Sequence, residues 1–230
     1  MSESSFITLK SGRKIEYFEN GVDSDQALLF LHGTPSDGTL WHKWLAEISS
    51  VKAIATSRAG YGLSDRNKGR SVADDLADQA EVLNHLGINK FVSIGWSGGG
   101  PHSLNMTRDP RCVAAITLAG VGEWGRADLD FLAGMGPENV DEFGTALKGE
   151  SAITDWMEKN AVAMKNVTGP DLITAFGGLI GDADKKALTP EFAEDEATMF
   201  RRSLSVSYDG WIDDDLAFVR DFGAIPGLSH

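Results

Sequence analysis

Positive charge and cysteine are the two things this sequence has little of. Lys and Arg total 21 against 34 Asp and Glu, a formal net charge of −13. A surface this poor in bases does not suit nucleic acid or an anionic membrane as a partner. The acidic excess reads first as a solubility feature. Cys112 is the only cysteine, which rules out an internal disulfide. Beside an apolar run, it is expected to be buried and inert. No His and Cys spacing matches a metal-ligand set and no cofactor motif is present, so neither metal nor cofactor is expected. No apolar run approaches membrane-spanning length, and Met1 to Lys10 lacks a signal-peptide core. The expected location is cytoplasmic. Repeats, low-complexity segments and long linkers are also missing.

What remains is ordinary globular composition, 42% hydrophobic and 24% charged over 230 residues. That length suits one large domain, or a core with an insertion. Phe6 to Leu9 and Lys14 to Phe18 alternate as an antiparallel pair would around Ser11-Gly12. Ala27 to Leu31 and Val51 to Thr56 are apolar strands, with a helix expected over Leu40 to Ile48. Ser71 is placed to cap a helix running to Leu86 that Gly87 closes. Val113 to Leu118 reads as a further buried strand. Strands alternating with helices predict an α/β fold: a mostly parallel sheet with flanking helices.

After Gly122 the pattern changes. Asp128 to Arg220 holds no convincing strand. Helices are predicted over Pro137 to Lys148, Ser151 to Asn166 and Asp171 to Ile180, and a fourth starts at Thr189-Pro190. Phe143, Trp156, Met164, Phe176, Met199 and Phe200 recur along them, mostly as packing residues, with a minority expected to line an apolar pocket over the strand ends. Asp213-Asp214-Asp215 resembles a metal cluster only superficially. Consecutive carboxylates point in different directions, and a solvated helix start is expected there.

The densest signal is Phe91 to Gly100, FVSIGWSGGG. Phe91, Val92 and Ile94 suit a strand buried on both faces. Gly95-Trp96-Ser97-Gly98-Gly99 then fits G-x-S-x-G, and Pro101 follows where a helix can begin. In a strand-to-helix elbow the central Ser takes a strained backbone conformation with its hydroxyl exposed. Residues two before and two after it must be small, because the two backbones crowd there.

With His32-Gly33-Thr34-Pro35 and the stretch Arg58 to Asp65 (R-x-G-Y-G-x-S-D), this elbow resembles the α/β-hydrolase superfamily in motif order and spacing. The likeness covers Phe6 to about Gly120, and the helical stretch fits the family's cap. It implies a core over 1–122, a helical cap over 123–220 and a short tail over 221–230. It also implies Ser97 as nucleophile, with an oxyanion hole from the backbone N–H groups of Thr34 and Gly98. Each such donor is worth about 3–4 kcal/mol to the transition state. His32 would shape the loop, and Arg58 and Asp65 would hold a loop near the site.

In the family, an acid and then a His follow the nucleophile along the chain, and that second half is not evident here. His42 and His85 fall in helical segments, His102 lies in the helix behind the elbow, and His230 is terminal. Glu123, after the strand that follows the elbow, is the alternative acid. With no strand expected beyond Val113 to Leu118, that strand would be an apolar edge, completed by a second chain, a symmetry mate or residues lost by cleavage.

The expected activity is a serine hydrolase cleaving an ester or related acyl bond of a small, mostly apolar substrate. A Ser at the elbow argues against dehalogenase and epoxide-hydrolase chemistry, which need a carboxylate nucleophile. An aminopeptidase-like activity would use an acidic cap to bind a substrate amine, although the His32 loop lacks the extra Gly common in that branch. The alternatives are a non-catalytic ligand-binding module or an inactive fragment, and a two-chain enzyme whose base arrives from a partner.

Overall fold

The computed structural model describes residues 3–222. Its six-stranded sheet has the order β1-β2-β4-β3-β5-β6. The strands are β1 (Ser5–Thr8), β2 (Lys14–Glu19), β3 (Gln26–Leu31), β4 (Lys52–Thr56), β5 (Lys90–Trp96) and β6 (Cys112–Leu118). The first two pair antiparallel; β1 alternates partly buried and exposed residues, whereas Ile15 to Phe18 of β2 are all buried, against the alternation expected of an edge pair, because β2 runs antiparallel to β4 inside the sheet. The remaining pairs, β4 with β3, β3 with β5 and β5 with β6, are parallel. Leu31 therefore lies level with both Thr56 and Gly95, so the loops after β3, β4 and β5 leave the same end of the sheet.

Helices α1 (His42–Glu47), α2 (Asp75–His85) and α3 (Gly99–Asn105) connect these strands. Helix α2 starts later than Ser71 predicts, because Asp74 turns back and accepts from the Ser71 N–H and Oγ, both at 2.7 Å. Gly87, at φ +68°, ends it in the left-handed region where a Cβ is unfavourable. One face of the sheet packs on α2 through Leu29, Leu31, Val82, Leu83 and Phe91.

From Pro137 to Phe218 the described chain is helical: α4 (Pro137–Ala146), α5 (Glu150–Lys165), α6 (Gly169–Phe176), α7 (Asp182–Ala187), α8 (Pro190–Ser203) and α9 (Asp209–Phe218). Thr168 and Asp171 form a capping box at the start of α6, and the Thr189 hydroxyl caps α8. This segment sits on the sheet's loop end. Tyr61 packs among Ile153, Met157, Leu204 and Trp211, and Val72 among Phe131, Phe143 and Phe218. Arg202, at the end of α8, is ion-paired to buried Glu16 at 2.5 Å and to buried Asp37.

Four further expectations need correction. Asp213, Asp214 and Asp215 do not start a solvated helix; they lie inside α9, whose residues Gly210 to Phe218 are all buried. The approach is close enough that a Cβ at Gly60 would lie 2.7 Å from Gly210 Cα. Strand β6 is not buried: it is the sheet's edge among the described residues, with Val113, Ile116 and Leu118 exposed by 54%, 45% and 42%. Cys112 is accordingly half-buried, its Sγ 3.3 Å from the Ala114 carbonyl, and burial raises its thiol pKa. On β5, Phe91 is buried as expected, but Val92 and Ile94 are only partly so.

An unpaired edge lined with apolar side chains favours strand addition. The expected outcome is that the 230-residue chain self-associates at micromolar concentration in sedimentation velocity, whereas a monodisperse monomer would contradict it.

Candidate functional site

The site is built where β5 turns into α3. Ser97 has φ +53°, a left-handed conformation that costs a non-glycine residue about 1–3 kcal/mol. Three backbone bonds hold it there. Its N–H donates to Leu118 O at 2.9 Å, and its carbonyl accepts from Gly100 N at 2.9 Å and Val121 N at 3.2 Å. The flanking glycines are required by space: a Cβ at Gly95 would lie 2.1 Å from Gly99 O, and one at Gly99 2.3 Å from Leu31 O.

The loop after β3 lies against this turn. A Cβ at Gly33 would be 3.3 Å from Ser97 Cβ, and one at Gly98 would be 2.3 Å from Thr34 Oγ1. The structure thus brings Ser97, Gly98 and Thr34 together, as the motifs predict. The Thr34–Pro35 peptide is cis.

Buried charge holds the loop in place. Arg58 donates from Nη1 to His32 O at 2.6 Å and from Nη2 to Gly33 O at 2.9 Å. Its Nη2 also reaches Asp214 Oδ2 at 2.6 Å. The same Asp214 oxygen accepts from Thr34 Oγ1 at 2.6 Å and from the Tyr61 hydroxyl at 2.9 Å. Arg70 Nη1 lies 2.6 Å from Oδ1. Burial pushes the Asp214 carboxyl up, but the Arg58 and Arg70 guanidiniums overcome it and hold it well below the usual carboxylate range. A carboxylate from α9 thereby clamps the loop that carries Thr34.

The histidines are held elsewhere. His32 Nδ1 lies 2.8 Å from Gly33 O, and its Nε2 accepts from Arg58 N at 2.8 Å. That pairing assigns the proton to Nδ1 and leaves no free lone pair for base catalysis. Burial and Arg58 push its pKa well below the ordinary value. His102 sits fully buried between two carboxylates, Nδ1 3.1 Å from Asp75 and Nε2 3.6 Å from Asp214. Burial raises the Asp75 carboxyl, yet His102, Arg58 and Arg70 bring it down to about 2. His42 packs edge-on against Phe18, and His85 against Tyr17. None of these four is hydrogen-bonded to Ser97; His230 lies outside the described residues.

Glu123 is half-buried. It accepts from Phe222 N at 3.3 Å and lies 3.8 Å from Arg126. It follows Val121, whose N–H is bonded to the Ser97 carbonyl. Asp65 exchanges two bonds with the Lys14 backbone, at 2.7 and 2.8 Å, and pins the loop after β4 to β2. Asp213 forms a two-point ion pair with Arg66, at 2.8 and 3.1 Å. Asp215 lies beside Glu142; burial and that neighbour raise its pKa well above the ordinary carboxylate value. The three aspartates do point in different directions, each to its own partner.

A cavity of about 500 Å³ opens beside the elbow. Its walls include Trp96 and Leu118 at the ends of β5 and β6, Trp41 and Trp44, and Phe176 and Phe200 from the helical segment. Two of the aromatic residues singled out in the sequence, Phe176 and Phe200, thus line the pocket, while Phe143, Trp156, Met164 and Met199 pack within helix clusters.

A family model described as alpha/beta hydrolase fold matches residues 26–143, so the chain belongs to that family. It is 33% identical over 98 residues to a non-heme haloperoxidase of Rhodococcus erythropolis, covering 41% of this chain and 35% of that one. It is 31% identical over 100 residues to epoxide hydrolase 4 of Mus musculus, covering 41% and 28%. Those alignments therefore span about a third of the relatives' own lengths. Among solved structures, a thermophilic esterase from Thermogutta terrifontis superposes with a TM-score of 0.64 at 20% identity, over 96% of this chain and 73% of that one.

Removing one partner of a buried ion pair leaves the others uncompensated. Asp214→Ala, which strands Arg58 and Arg70, is expected to lower the unfolding free energy by about 3–5 kcal/mol in urea titration. Asp75 and Asp214 both have folded pKa values below their unfolded ones. Their stabilisation is complete above about pH 4 and is lost as pH falls, for Asp75 toward about 2, which acid unfolding followed by circular dichroism will show.

Proposed function

We propose that the chain carries the nucleophile half of a serine hydrolase that cleaves an ester or related acyl bond of a small, mostly apolar substrate. The observation that carries this reading is Ser97 at φ +53° on a glycine-flanked elbow, against the Thr34 loop and beside an apolar cavity. Ser97 Oγ attacks the carbonyl carbon. The N–H groups of Gly98 and Thr34 take the developing oxyanion, and the acyl group passes to Ser97 as the leaving alcohol departs. Water then releases the acid. Glu123 is the candidate to orient the base, because its segment is tied to Ser97 through Val121. The base itself is a His outside the described residues or on a second chain. The helices over 123–220 act as a cap on the core, and the small-molecule substrate is met in the cytoplasm. No described helix is long and apolar enough to cross a membrane.

The epoxide-hydrolase name among the relatives does not transfer, since that chemistry needs a carboxylate where this chain has Ser97. A second reading, a ligand-binding module without catalysis, is favoured by the placement of His32, His42, His85 and His102 away from Ser97.

A fluorophosphonate reports a serine activated by a nearby base. The expected outcome is one mass addition to the intact protein that Ser97→Ala abolishes. Folded protein that stays unlabelled would overturn the catalytic reading in favour of the binding module.

A further inference from the structure

Helix α8 presents Phe192, Glu196 and Phe200 to the cavity beside the elbow, at a spacing of four residues. A carboxylate therefore interrupts an otherwise aromatic stripe. Across from it stand Trp41, Trp44 and Trp96, and Asp184 of α7 adds a second acid to the wall. Among the described residues no Lys or Arg lines this cavity. Glu196 makes no hydrogen bond or ion pair among the described residues. Its neighbour Asp195 instead takes Lys43 of α1. Trp41 is buried and its indole N–H has no partner among the described residues, which leaves a donor for an acceptor atom on a ligand.

A partly buried carboxyl without a partner among aromatic rings is an unfavourable arrangement for an empty pocket. It becomes favourable when a cation enters. The carboxylate then gains its counter-charge, and the ring faces attract the same charge through their quadrupoles. The protein's net charge of −13 raises the local concentration of such a ligand. We propose that this pocket selects an apolar substrate bearing a positively charged nitrogen, held by Glu196 and the surrounding aromatic rings while its carbonyl lies toward Ser97. The orientation toward Ser97 rests on the hydrolase reading; the cation site stands on the cavity alone.

Burial raises the Glu196 carboxyl to about 7, helped by Asp195 and opposed by Lys43. Cation affinity therefore rises as pH increases through that value. The sign for stability is the reverse. The folded state holds its proton to higher pH than the unfolded chain does, so stability falls between about pH 4 and 7. Glu196→Gln is thus expected to keep or raise the unfolding midpoint at pH 8, which confirms that the variant is folded.

The test compares choline with its carbon isostere, 3,3-dimethylbutan-1-ol, titrated by tryptophan fluorescence at pH 6 and pH 8. At pH 8 choline is expected to bind about tenfold more tightly, a difference of about 1.4 kcal/mol. That preference shrinks at pH 6 and disappears in Glu196→Gln, while affinity for the neutral alcohol stays constant throughout. Equal affinity for the two alcohols in the wild type overturns the proposal, as does an undiminished choline preference in the variant. The acetate esters of the same alcohols separate the two readings. If Ser97 is the nucleophile, the KM ratio of the esters follows the binding ratio. Hydrolysis of neither ester, with the binding preference intact, sinks the hydrolase reading and leaves the cation site standing.

Discussion

The interaction on which most of this structure depends is the Asp214 carboxylate buried between Arg58 and Arg70. It joins parts of the chain that are far apart in sequence: α9, the loop after β4, and the loop after β3 through Thr34. Such a cluster is expensive to desolvate, and it holds only because every charge in it is answered. Asp214 accepts from Arg58, Tyr61 and Thr34 and faces Arg70. Arg58 spends its remaining donors on the carbonyls of His32 and Gly33. The helical segment therefore does more than cover the sheet. One of its side chains fixes the position of the loop proposed to bind the oxyanion.

Backbone strain supplies the second constraint. Ser97 stays in the left-handed region because Leu118, Gly100 and Val121 bond its main chain and because Gly95 and Gly99 let strand and helix meet. A hydroxyl fixed in this way loses little freedom when a substrate arrives. The aromatic cavity next to it supplies burial for an apolar group, and Glu196 introduces charge where burial makes it matter.

The parts of the fold legible in sequence were those with a local cause. The continuous apolar runs of β3 and β4 and the bounds of β2 appear within a few residues of where they were read, although β2 is buried over Ile15 to Phe18 and does not alternate. So do the Thr189-Pro190 start of α8 and the elbow glycines, whose spacing is itself the steric requirement. Asp213 to Asp215 were misread because their reason for burial is not local. Arg66 and Arg58 lie 147 and 156 residues away from Asp213 and Asp214 in the chain, and a run of acids without its partners looks solvated. The one available signal was the group Arg58, Arg66 and Arg70, an unusual share of the chain's few bases beside a Gly-rich turn. Helix α7 was missed because it buries none of its residues and so leaves no apolar period. The role of Glu196 was equally hidden: its position between Phe192 and Phe200 marks one acid on an aromatic helix face, but Trp41, Trp44 and Trp96, which line the same cavity, are far from it in the chain.

The most direct measurement of the central claim is the crystal structure of the protein with phenylboronic acid, which forms a tetrahedral adduct on an accessible serine without needing a leaving group. The account predicts boron bonded to Ser97 Oγ, with one boronate oxygen within hydrogen-bond distance of the backbone N–H groups of both Gly98 and Thr34. An adduct on another residue would contradict it. So would a Ser97 adduct whose oxygens point away from those two donors.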